Sequence, residues 1–576
     1  MRILKDSFKR NLIILGSISV IALGVACSDT AAPAAPVAPV APAAPAAAAA
    51  APAAPIAVIA GAPTAIPARP TATRVLPTAT TVIAGMPVKG GTLIFAGAGS
   101  IDTLDPAYNS LFGGLMPMKN IYGSLFDTDE NGNVIPDLAE SWEFSADGKT
   151  VTAKMRSGVK FHDGTVADAN AIKWNFDRMM DPEQGSPQRA DLESKLASVE
   201  APDSSTVVLT LIKAFRPFIP QIASERVGWT VSPTAVEKSG GGRNGDYGKN
   251  PVGTGPYKFV NWIPDQKVVF ERNADFWDSP KPYLDGIINL ALPDPGVRVA
   301  MLRTGEADYG TYTGVSGVHL PLLERSSKVK VIQQVGAGNG FFQFNTTIAP
   351  FDNKALRQAF AYAMDREALI IGAWGGVGKP GYLMTPMGWG FNPDLKPMQT
   401  NIEKAKEKMI EAGYPNGVTM PMGCAASGTY GLVCEVAQAL VSEIGIKLEP
   451  KMILNNIYFN RQKGAMSDPG AMNRGWSVRV DPHTLLQFMG HSKGFHNLGA
   501  YTNPESDALI DQASVEYDTA KARLLYDKIH TILAEEAAMV WYLRRVNIFA
   551  MSADLMGFKP PMPPVNQSFR DVWFDR

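Results

Sequence analysis

Residues 150–180 read TVTAKMRSGVKFHDGTVADANAIKWNFDRMM, and this stretch carries the pattern that decides the fold class. Thr150–Arg156 alternates apolar and polar residues, which is typical of a half-buried strand. Gly158–Gly164 is rich in turn residues, and Ala167–Met180 has apolar residues at helical spacing. A strand, a turn and an amphipathic helix in this order are consistent with an α/β protein, in which helices pack against a sheet.

Further blocks of strand, turn and helix character lie on both sides of this stretch. In chain order they are KGGTLIFA (89–96), DTLDP (102–106), LAESWEF (138–144), GTGPYKF (253–259), FERNADFW (270–277), RTGEAD (303–308), FNTT (344–347), PFD (350–352), RQA (357–359), AMDR (363–366) and EAGYP (411–415). The region Tyr501–Ala513 closes the series.

This ordered set resembles the family 5 solute-binding proteins of ABC importers, the oligopeptide, dipeptide and nickel group. The resemblance implies a two-lobed periplasmic-binding-protein-like clamp (type II, cluster C) with a small extra domain inserted in lobe I. Its segments are expected at 88–129, 214–345 and 548–576 for lobe I, 130–213 for domain II and 346–547 for lobe III. Crossover strands near Phe341–Asn345 and Val540–Arg544 would form the hinge.

The resemblance also implies a function. Such a protein is an extracytoplasmic receptor that binds a peptide or a related small solute by hinge closure and delivers it to the permease and ATPase of an ABC transporter. We expect a monomer with no cofactor and no enzymatic activity. The net charge of −1 over 576 residues lacks the basic excess of a nucleic-acid-binding protein. A surface sensory or adhesive protein that binds a solute is the alternative from another class.

The amino terminus predicts export. Its cations (Arg2, Lys5, Lys9 and Arg10) precede the apolar run Leu12–Ala26, which is too short to cross a bilayer and is typical of a signal peptide. The following Cys27 resembles the lipidated cysteine of bacterial lipoproteins, although Leu23 stands one position earlier than that pattern has it. We therefore expect a signal peptide at 1–26 and a lipid-anchored, Ala/Pro-rich linker at 27–87, facing the periplasm or the cell exterior. An ordinary signal peptide that leaves a free thiol is the alternative.

Cys424 and Cys434 are then the remaining cysteines. They lie between a strand-like Val418–Met422 and a helical Leu432–Ile444, which can bring two cysteines within disulfide reach. Two small buried side chains are the alternative. Without a matching pair of histidines, the two cysteines make a poor zinc site, so we expect no metal there.

The stretch Asn473–His483 is the most informative about the ligand. In peptide-binding relatives, an Asp three residues after the Trp binds the ammonium group of the peptide, but here Arg479 follows Trp476 at that distance. Alternation predicts Ser477, Arg479 and Asp481 on one face of a strand. Arg479 would suit a carboxylate or phosphate group. Alternatively, Asp481 or another acid neutralises it.

Aromatic side chains would cover the apolar part of a ligand. We take Tyr108, Trp389 and Trp476 as candidate walls, although each could equally belong to the core.

Two alternative chemistries remain. Asp481-Pro-His483 resembles the matching segment of nickel-binding relatives, and together with His491 and His496 it suggests a site for a metal chelate. The spacing of these three histidines fits no compact metal motif. Gly490–Gly494 spells the G-x-S-x-G of hydrolases, with Ser492 at its centre, but it lies in a predicted loop. Gly376–Gly381 spells G-x-G-x-x-G, which we interpret as a turn because Pro380 stands where a helix should open.

Overall fold

The structure is a computed structural model. It describes residues 85–576 except 225, 244, 311–314, 316, 385–387, 427, 455–457, 459–465, 467, 478–480 and 564–565, and the side chains of Phe112, Ala337 and Ser477. The signal peptide, Cys27 and nearly all of the linker therefore lie outside the described residues.

The described strands alternate with helices along much of the chain. The strands are β1 (Thr92–Gly97), β2 (Phe126–Thr128), β3 (Val134–Pro136), β4 (Ala139–Phe144), β5 (Thr150–Met155), β6 (Leu196–Asp203), β7 (Thr206–Leu211), β8 (Tyr257–Ile263), β9 (Lys267–Arg272), β10 (Gly286–Ala291), β11 (Tyr309–Gly310), β12 (Val329–Phe344), β13 (Lys379–Pro380), β14 (Val418–Ala425), β15 (Ile446–Ile453), β16 (Ala471–Ser477), β17 (Met539–Ser552), β18 (Leu555–Met556) and β19 (Trp573–Phe574).

The described helices are α1 (Leu115–Ile121), α2 (Ala169–Met180), α3 (Arg189–Glu193), α4 (Phe218–Ser224), α5 (Pro233–Lys238), α6 (Pro295–Thr304), α7 (Leu320–Glu324), α8 (Lys354–Ala363), α9 (Arg366–Trp374), α10 (Ile402–Glu411), α11 (Thr429–Ser442), α12 (Pro482–Leu485), α13 (Pro504–Ser514) and α14 (Thr519–Glu536). A single π-helical turn, Leu486–Gly490, follows α12. Within the described part of the chain, every helix is too short or too polar to cross a membrane.

Residues 150–180 fold as the predicted strand, turn and helix. The strand is β5 and the helix is α2, which begins at Ala169 because the side chain of Asp168 accepts a hydrogen bond from the backbone N–H of Ala171. β5 lies in a four-stranded sheet of order β4-β5-β7-β6. The α/β prediction is confirmed.

One large sheet runs through the rest of the molecule in the order β15-β14-β16-β12-β17-β11-β1-β10-β9-β8, and β13 also pairs with β17. β1 is parallel to β10 and β11, and β14 is parallel to β15 and β16. Between these two parallel groups lie the long antiparallel strands β12 and β17. These two strands therefore connect the groups, and they contain the expected crossover stretches except for Asn345, which follows β12.

The pairing of β12 with β17 is interrupted twice. Its register shifts between Val335 and Asn339, where three residues of β12 oppose a single residue of β17. Gly336 lies in this bulge, and a Cβ atom there would come within 2.1 Å of the amide nitrogen of Asn547. Bulges bend and twist a strand. This bulge precedes the expected crossover stretch, whereas the second register shift, between Gly340 and Phe341, lies at its start.

The GTGPY motif has a steric explanation. A Cβ atom at Gly253 would stand 2.1 Å from the carbonyl oxygen of Ile121, and one at Gly255 would stand 2.6 Å from that of Asn120. Only glycine allows the backbone to approach α1 this closely. The motif therefore joins α1 to the start of β8.

Buried side chains form separate clusters on the two sides of the β12 bulge. One cluster, around Phe342, Phe360 and Val433, gathers α8, α9 and α11 against β14 and β16. Another, around Leu93, Tyr309 and Phe569, covers the β1–β10 side of the sheet. A third, around Val151 and Phe176, fills the space between α2 and the four-stranded sheet.

Candidate functional site

A buried ion pair joins two distant parts of the chain. Arg216 follows β7, in the segment expected for lobe I, and Asp481 precedes α12, in the segment expected for lobe III. Nη1 of Arg216 is 3.0 Å from one carboxylate oxygen of Asp481, and Nη2 donates to the other at 3.3 Å. The same Nη2 donates to the hydroxyl of Tyr526 at 3.1 Å. Arg216 therefore makes an ion pair with Asp481 that includes one charge-assisted hydrogen bond.

Aromatic rings cover this ion pair. The guanidinium carbon of Arg216 lies 4.2 Å from the ring centre of Trp389, and that ring meets Tyr526 edge-on at 5.1 Å. The side chain of Arg216 is 14% exposed and that of Asp481 is 1% exposed. Because water is largely excluded, the charges and the cation–π contact interact more strongly than they would at an open surface.

The local sequence explains the position of Asp481. Its carboxylate accepts a hydrogen bond from the backbone N–H of His483 at 2.8 Å and so caps α12, while Pro482 occupies the first turn. The prediction that Asp481 lies on a strand face with Ser477 was wrong. β16 ends at Ser477, and a proline lacks the N–H that a central strand needs.

Burial changes the titration of the groups around this contact. It raises the pKa of Asp481, while Arg216 opposes the rise. It lowers the pKa of His483 to about 3, with the positive charge of Arg216 as the next cause. The ring of His483 lies edge-on to Phe215 at 5.9 Å. His483 is therefore a neutral ring at neutral pH.

A second contact joins the segment expected for domain II to the segment expected for lobe III. The hydroxyl of Tyr517, which lies between α13 and α14, donates to the carbonyl oxygen of Gly148 at 3.0 Å. Its ring lies 4.9 Å from that of Phe144. The backbone N–H of Arg216 donates to the carbonyl of Ser514 at 2.9 Å. The turn between β4 and β5 and the β7–α4 connection therefore both touch the α13–α14 region.

The structure gathers some of the residues singled out from the sequence. Trp389 and Trp476 pack against one buried cluster, and the ring of Trp476 lies 4.3 Å from that of His496. Tyr108 lies elsewhere. Its hydroxyl donates to Gln184 at 3.2 Å, and the guanidinium of Arg178 stands 5.4 Å from its ring centre.

The structure describes only some of the remaining candidate residues. The backbone of Ser477 pairs with Gly338, but its side chain and the whole of Arg479 lie outside the described residues, as does Cys27. Cys424 and Cys434 form a disulfide, with their Cα atoms 6.2 Å apart. It joins the end of β14 to α11.

The three histidines of the metal-chelate alternative face different partners. His483 lies against Phe215, His496 against Trp476, and His491 lies 3.8 Å from Asp507 and 3.7 Å from Asp511. Within the described residues, no group of three or more His, Cys, Asp or Glu side chains could hold a metal ion.

The G-x-S-x-G stretch lacks the strand-to-helix turn of a hydrolase. It begins at Gly490, the last residue of the π-helical turn, and the backbone N–H of Ser492 donates to Asp507 at 2.9 Å.

Sequence reasoning missed Arg216, Tyr526 and the fully buried Arg474. Arg216 lies between Phe215 and Pro217 in no recognised motif, and its partner Asp481 is 265 residues away along the chain. The sequence feature that could have identified Arg474 is its position in a strand next to Gly475 and Trp476, where a charged side chain is unusual.

Comparison with known proteins identifies relatives over most of the chain. The family model "Bacterial extracellular solute-binding proteins, family 5 Middle" matches residues 133–497. The glutathione-binding protein GsiB of Shigella flexneri is 30% identical over 463 residues, which make up 79% of this chain and 89% of that protein.

Two solved structures are similar as well. The periplasmic binding protein DppA of Helicobacter pylori, in complex with the peptide STSA, is 26% identical with a TM-score of 0.72, and the match covers 85% of this chain and 99% of that one. AgaA of A. tumefaciens R10, in complex with agropinic acid, is 26% identical with a TM-score of 0.69, covering 84% and 99%.

Proposed function

The chain belongs to family 5 of the bacterial extracellular solute-binding proteins, and on that premise we propose that it captures a small peptide-like or acidic solute for an ABC importer. Proteins of this family bind small solutes and work with an ABC permease and ATPase. The observation that carries the proposal for this chain is the buried contact of Arg216 with Asp481, which joins the segments expected for lobes I and III.

The proposed mechanism is hinge closure. β12 and β17 link the two parallel groups of strands, and the bulge at Gly336 is the point where they can bend. The Arg216 contact and the Tyr517 contact would form when the lobes close. A solute shifts the molecule toward this state to the extent that it binds the closed form better than the open one.

The charge pattern favours an acidic solute over a peptide held by its ammonium group. The position three residues after Trp476 is Arg479 rather than an acid. The next acid, Asp481, already contacts Arg216 with both carboxylate oxygens, so it is not available to neutralise Arg479 or to bind an ammonium group. The relatives that bind glutathione, a peptide or agropinic acid span this range of solutes.

The cellular location and the lipid anchor of the protein are also part of the proposal. The family is extracellular or periplasmic, and Cys27 after a signal-like run would carry lipid that anchors the protein. More than one acyl chain is needed for firm anchoring. The Ala/Pro-rich linker would extend at roughly 3 Å per residue and hold the monomeric clamp away from the membrane.

Native mass spectrometry of the full chain, purified from membranes in detergent, tests the function. After denaturation, the co-purified solute is identified. Either a single acidic small molecule or a set of peptides would support the receptor function. Which of the two is found would distinguish an acidic ligand from a peptide ligand. A bound nickel chelate would favour the metal alternative, and a chain that never retains a solute would contradict the proposal.

A further inference from the structure

Arg474 is a fully buried cation in the middle of β16. Its residue exposure is 0%, and its backbone is paired with that of Phe341 on β12. Nη1 donates to the side-chain oxygen of Gln343, and the guanidinium carbon lies 5.7 Å from the ring centre of Phe341. Burial lowers the pKa of Arg474 to about 10, so the group keeps its charge at neutral pH.

One edge of this guanidinium is open. Nε and Nη2 are buried and have no hydrogen-bond partner among the residues that the structure describes. These two nitrogens point their N–H groups in the same direction, and their spacing matches the two oxygens of a carboxylate. The nitrogen that is already bonded, Nη1, is on the other side. An unpaired edge of this kind can donate two parallel hydrogen bonds to a carboxylate.

Two other buried arginines in the same part of the chain use their donors differently. Nε and Nη1 of Arg366 donate to four backbone carbonyls. Arg357 donates from all three nitrogens to backbone carbonyls. Burial lowers the pKa of Arg366 to about 10 as well, so its electrostatic setting is similar. Arg366 and Arg357 thus have the hydrogen-bond pattern of structural cations, whose nitrogens donate to backbone carbonyls. Arg474 does not have this pattern.

Among the described residues, no acid pairs with Arg474. None of the described ion pairs of the chain involves this residue, and no carboxylate is among the causes of its pKa change. Residues 455–480 contain the cations Arg461, Lys463, Arg474 and Arg479 but a single acid, Asp468, which is paired with Lys451 at 2.8 Å. An unpaired buried charge is costly, and a partner from outside the chain would offset that cost.

The position of Arg474 connects it with the candidate site. Phe341, over which its guanidinium lies, belongs to the cluster against which Trp389 and Trp476 pack. Trp476 follows Arg474 by two residues on β16, so both side chains lie on one face of the strand. We propose that the open edge of Arg474 binds a carboxylate group of the transported solute in the closed clamp. This assignment rests on the proposed receptor function.

The first test compares Arg474→Met with Arg366→Met in the full chain, stripped of solute by unfolding and refolding. If Arg474 is held for a ligand, its removal deletes an uncompensated charge, and the Tm of the ligand-free protein stays the same or rises. Arg366→Met should lower the Tm clearly, because it leaves four carbonyl groups without their donor. A fall in Tm for Arg474→Met as large as that for Arg366→Met would overturn the proposal.

The second test measures binding. The probe is the low-mass fraction of a protein digest, offered either untreated or with its carboxyl groups converted to methyl esters, and bound components are quantified by mass spectrometry. We expect wild type to retain components of the untreated fraction at least about tenfold better than Arg474→Met does, and Arg474→Lys to retain an intermediate amount. Esterification should remove this advantage.

The outcomes separate the two proposals. Equal retention by wild type and Arg474→Met, or undiminished binding of esterified components, would overturn the role of Arg474 while the receptor function stands. A wild type that retains nothing from either fraction or from its own host would contradict the receptor function, and with it a ligand role for Arg474.

Discussion

The guanidinium of Arg216 donates a hydrogen bond to one carboxylate oxygen of Asp481 and lies 3.0 Å from the other, although 265 residues separate them along the chain. This pair joins the connection after β7 to the start of α12, beneath the ring of Trp389. Because Asp481 also caps α12, the contact links the helix to the far side of the clamp. It ties the segments expected for lobes I and III through side chains, in addition to the backbone pairing of β12 with β17.

Replacing Arg216 should destabilise the folded protein. Arg216→Gln leaves the carboxylate of Asp481 buried without its partner, which costs about 3 kcal/mol of unfolding free energy. Urea denaturation measures the loss. The matched control is Arg189→Gln, whose partner Glu193 lies four residues away on an exposed helix face, and it should cost less than about 0.5 kcal/mol. Equal stability of both variants would contradict the assignment of a buried bridge.

Replacing Arg479 should weaken binding of an acidic solute. We expect Arg479→Ala to cost about 1.5–3 kcal/mol of binding free energy, the range for a hydrogen bond to a charged group. Isothermal titration with the solute identified by mass spectrometry checks this. Lys447→Ala, which removes an exposed cation paired with Glu449, is the control and should not change the affinity. An unchanged affinity in Arg479→Ala would leave that residue a structural role.

Acid should destabilise the protein through its buried histidines. Burial lowers the pKa of His162 and His530 to about 4 and that of His483 to about 3. In the unfolded chain these rings take up protons near pH 6.5, whereas the folded protein does not until about pH 4. Stability therefore falls as the pH drops between these values, by about 2 kcal/mol per histidine at pH 5.

Urea unfolding at pH 7 and pH 5 measures this loss. His483→Gln should reduce the difference between the two pH values, while replacement of the more exposed His319 by Gln should change it less. A difference that is the same in His483→Gln and wild type would show that His483 is not a neutral buried ring.

Removing the disulfide should lower stability without changing the fold. Cross-linking Cys424 to Cys434 closes a short loop in the unfolded chain, and losing it costs about 3 kcal/mol. The double variant Cys424→Ala/Cys434→Ala is compared with wild type by chemical denaturation. Adding a reductant should destabilise wild type and leave the double variant unchanged, and an insensitive wild type would argue that the two thiols are free.

Removing Cys27 should release the protein from membranes. Cys27→Ser cannot receive a lipid on sulfur, so we expect it in the soluble fraction after lysis or in the medium. Fractionation followed by immunoblotting measures the distribution, and Ser28→Ala, which keeps the cysteine, serves as the control. A membrane-bound Cys27→Ser protein would point to a different anchor.

The general fold was accessible from local patterns. The β5–turn–α2 stretch carries its own alternation, turn residues and capping aspartate, so short-range physics decides it. The GTGPY motif was recognisable as well, and its glycines are explained by backbone contacts with Ile121 and Asn120. The assignment of Asp481 to a strand failed because the proline after it ends the ladder, which alternation alone does not reveal.

The sequence by itself determined the family resemblance, with the α/β class that it implies, and the export-like amino terminus, because each depends on short local motifs and on their order along the chain. Only the tertiary structure decided that Arg216 is the partner of Asp481, and that Arg474 is buried with one edge of its guanidinium open. Ion pairs and burial depend on which surfaces meet after folding. Contacts between residues hundreds of positions apart leave no periodic or spacing signal in a single sequence.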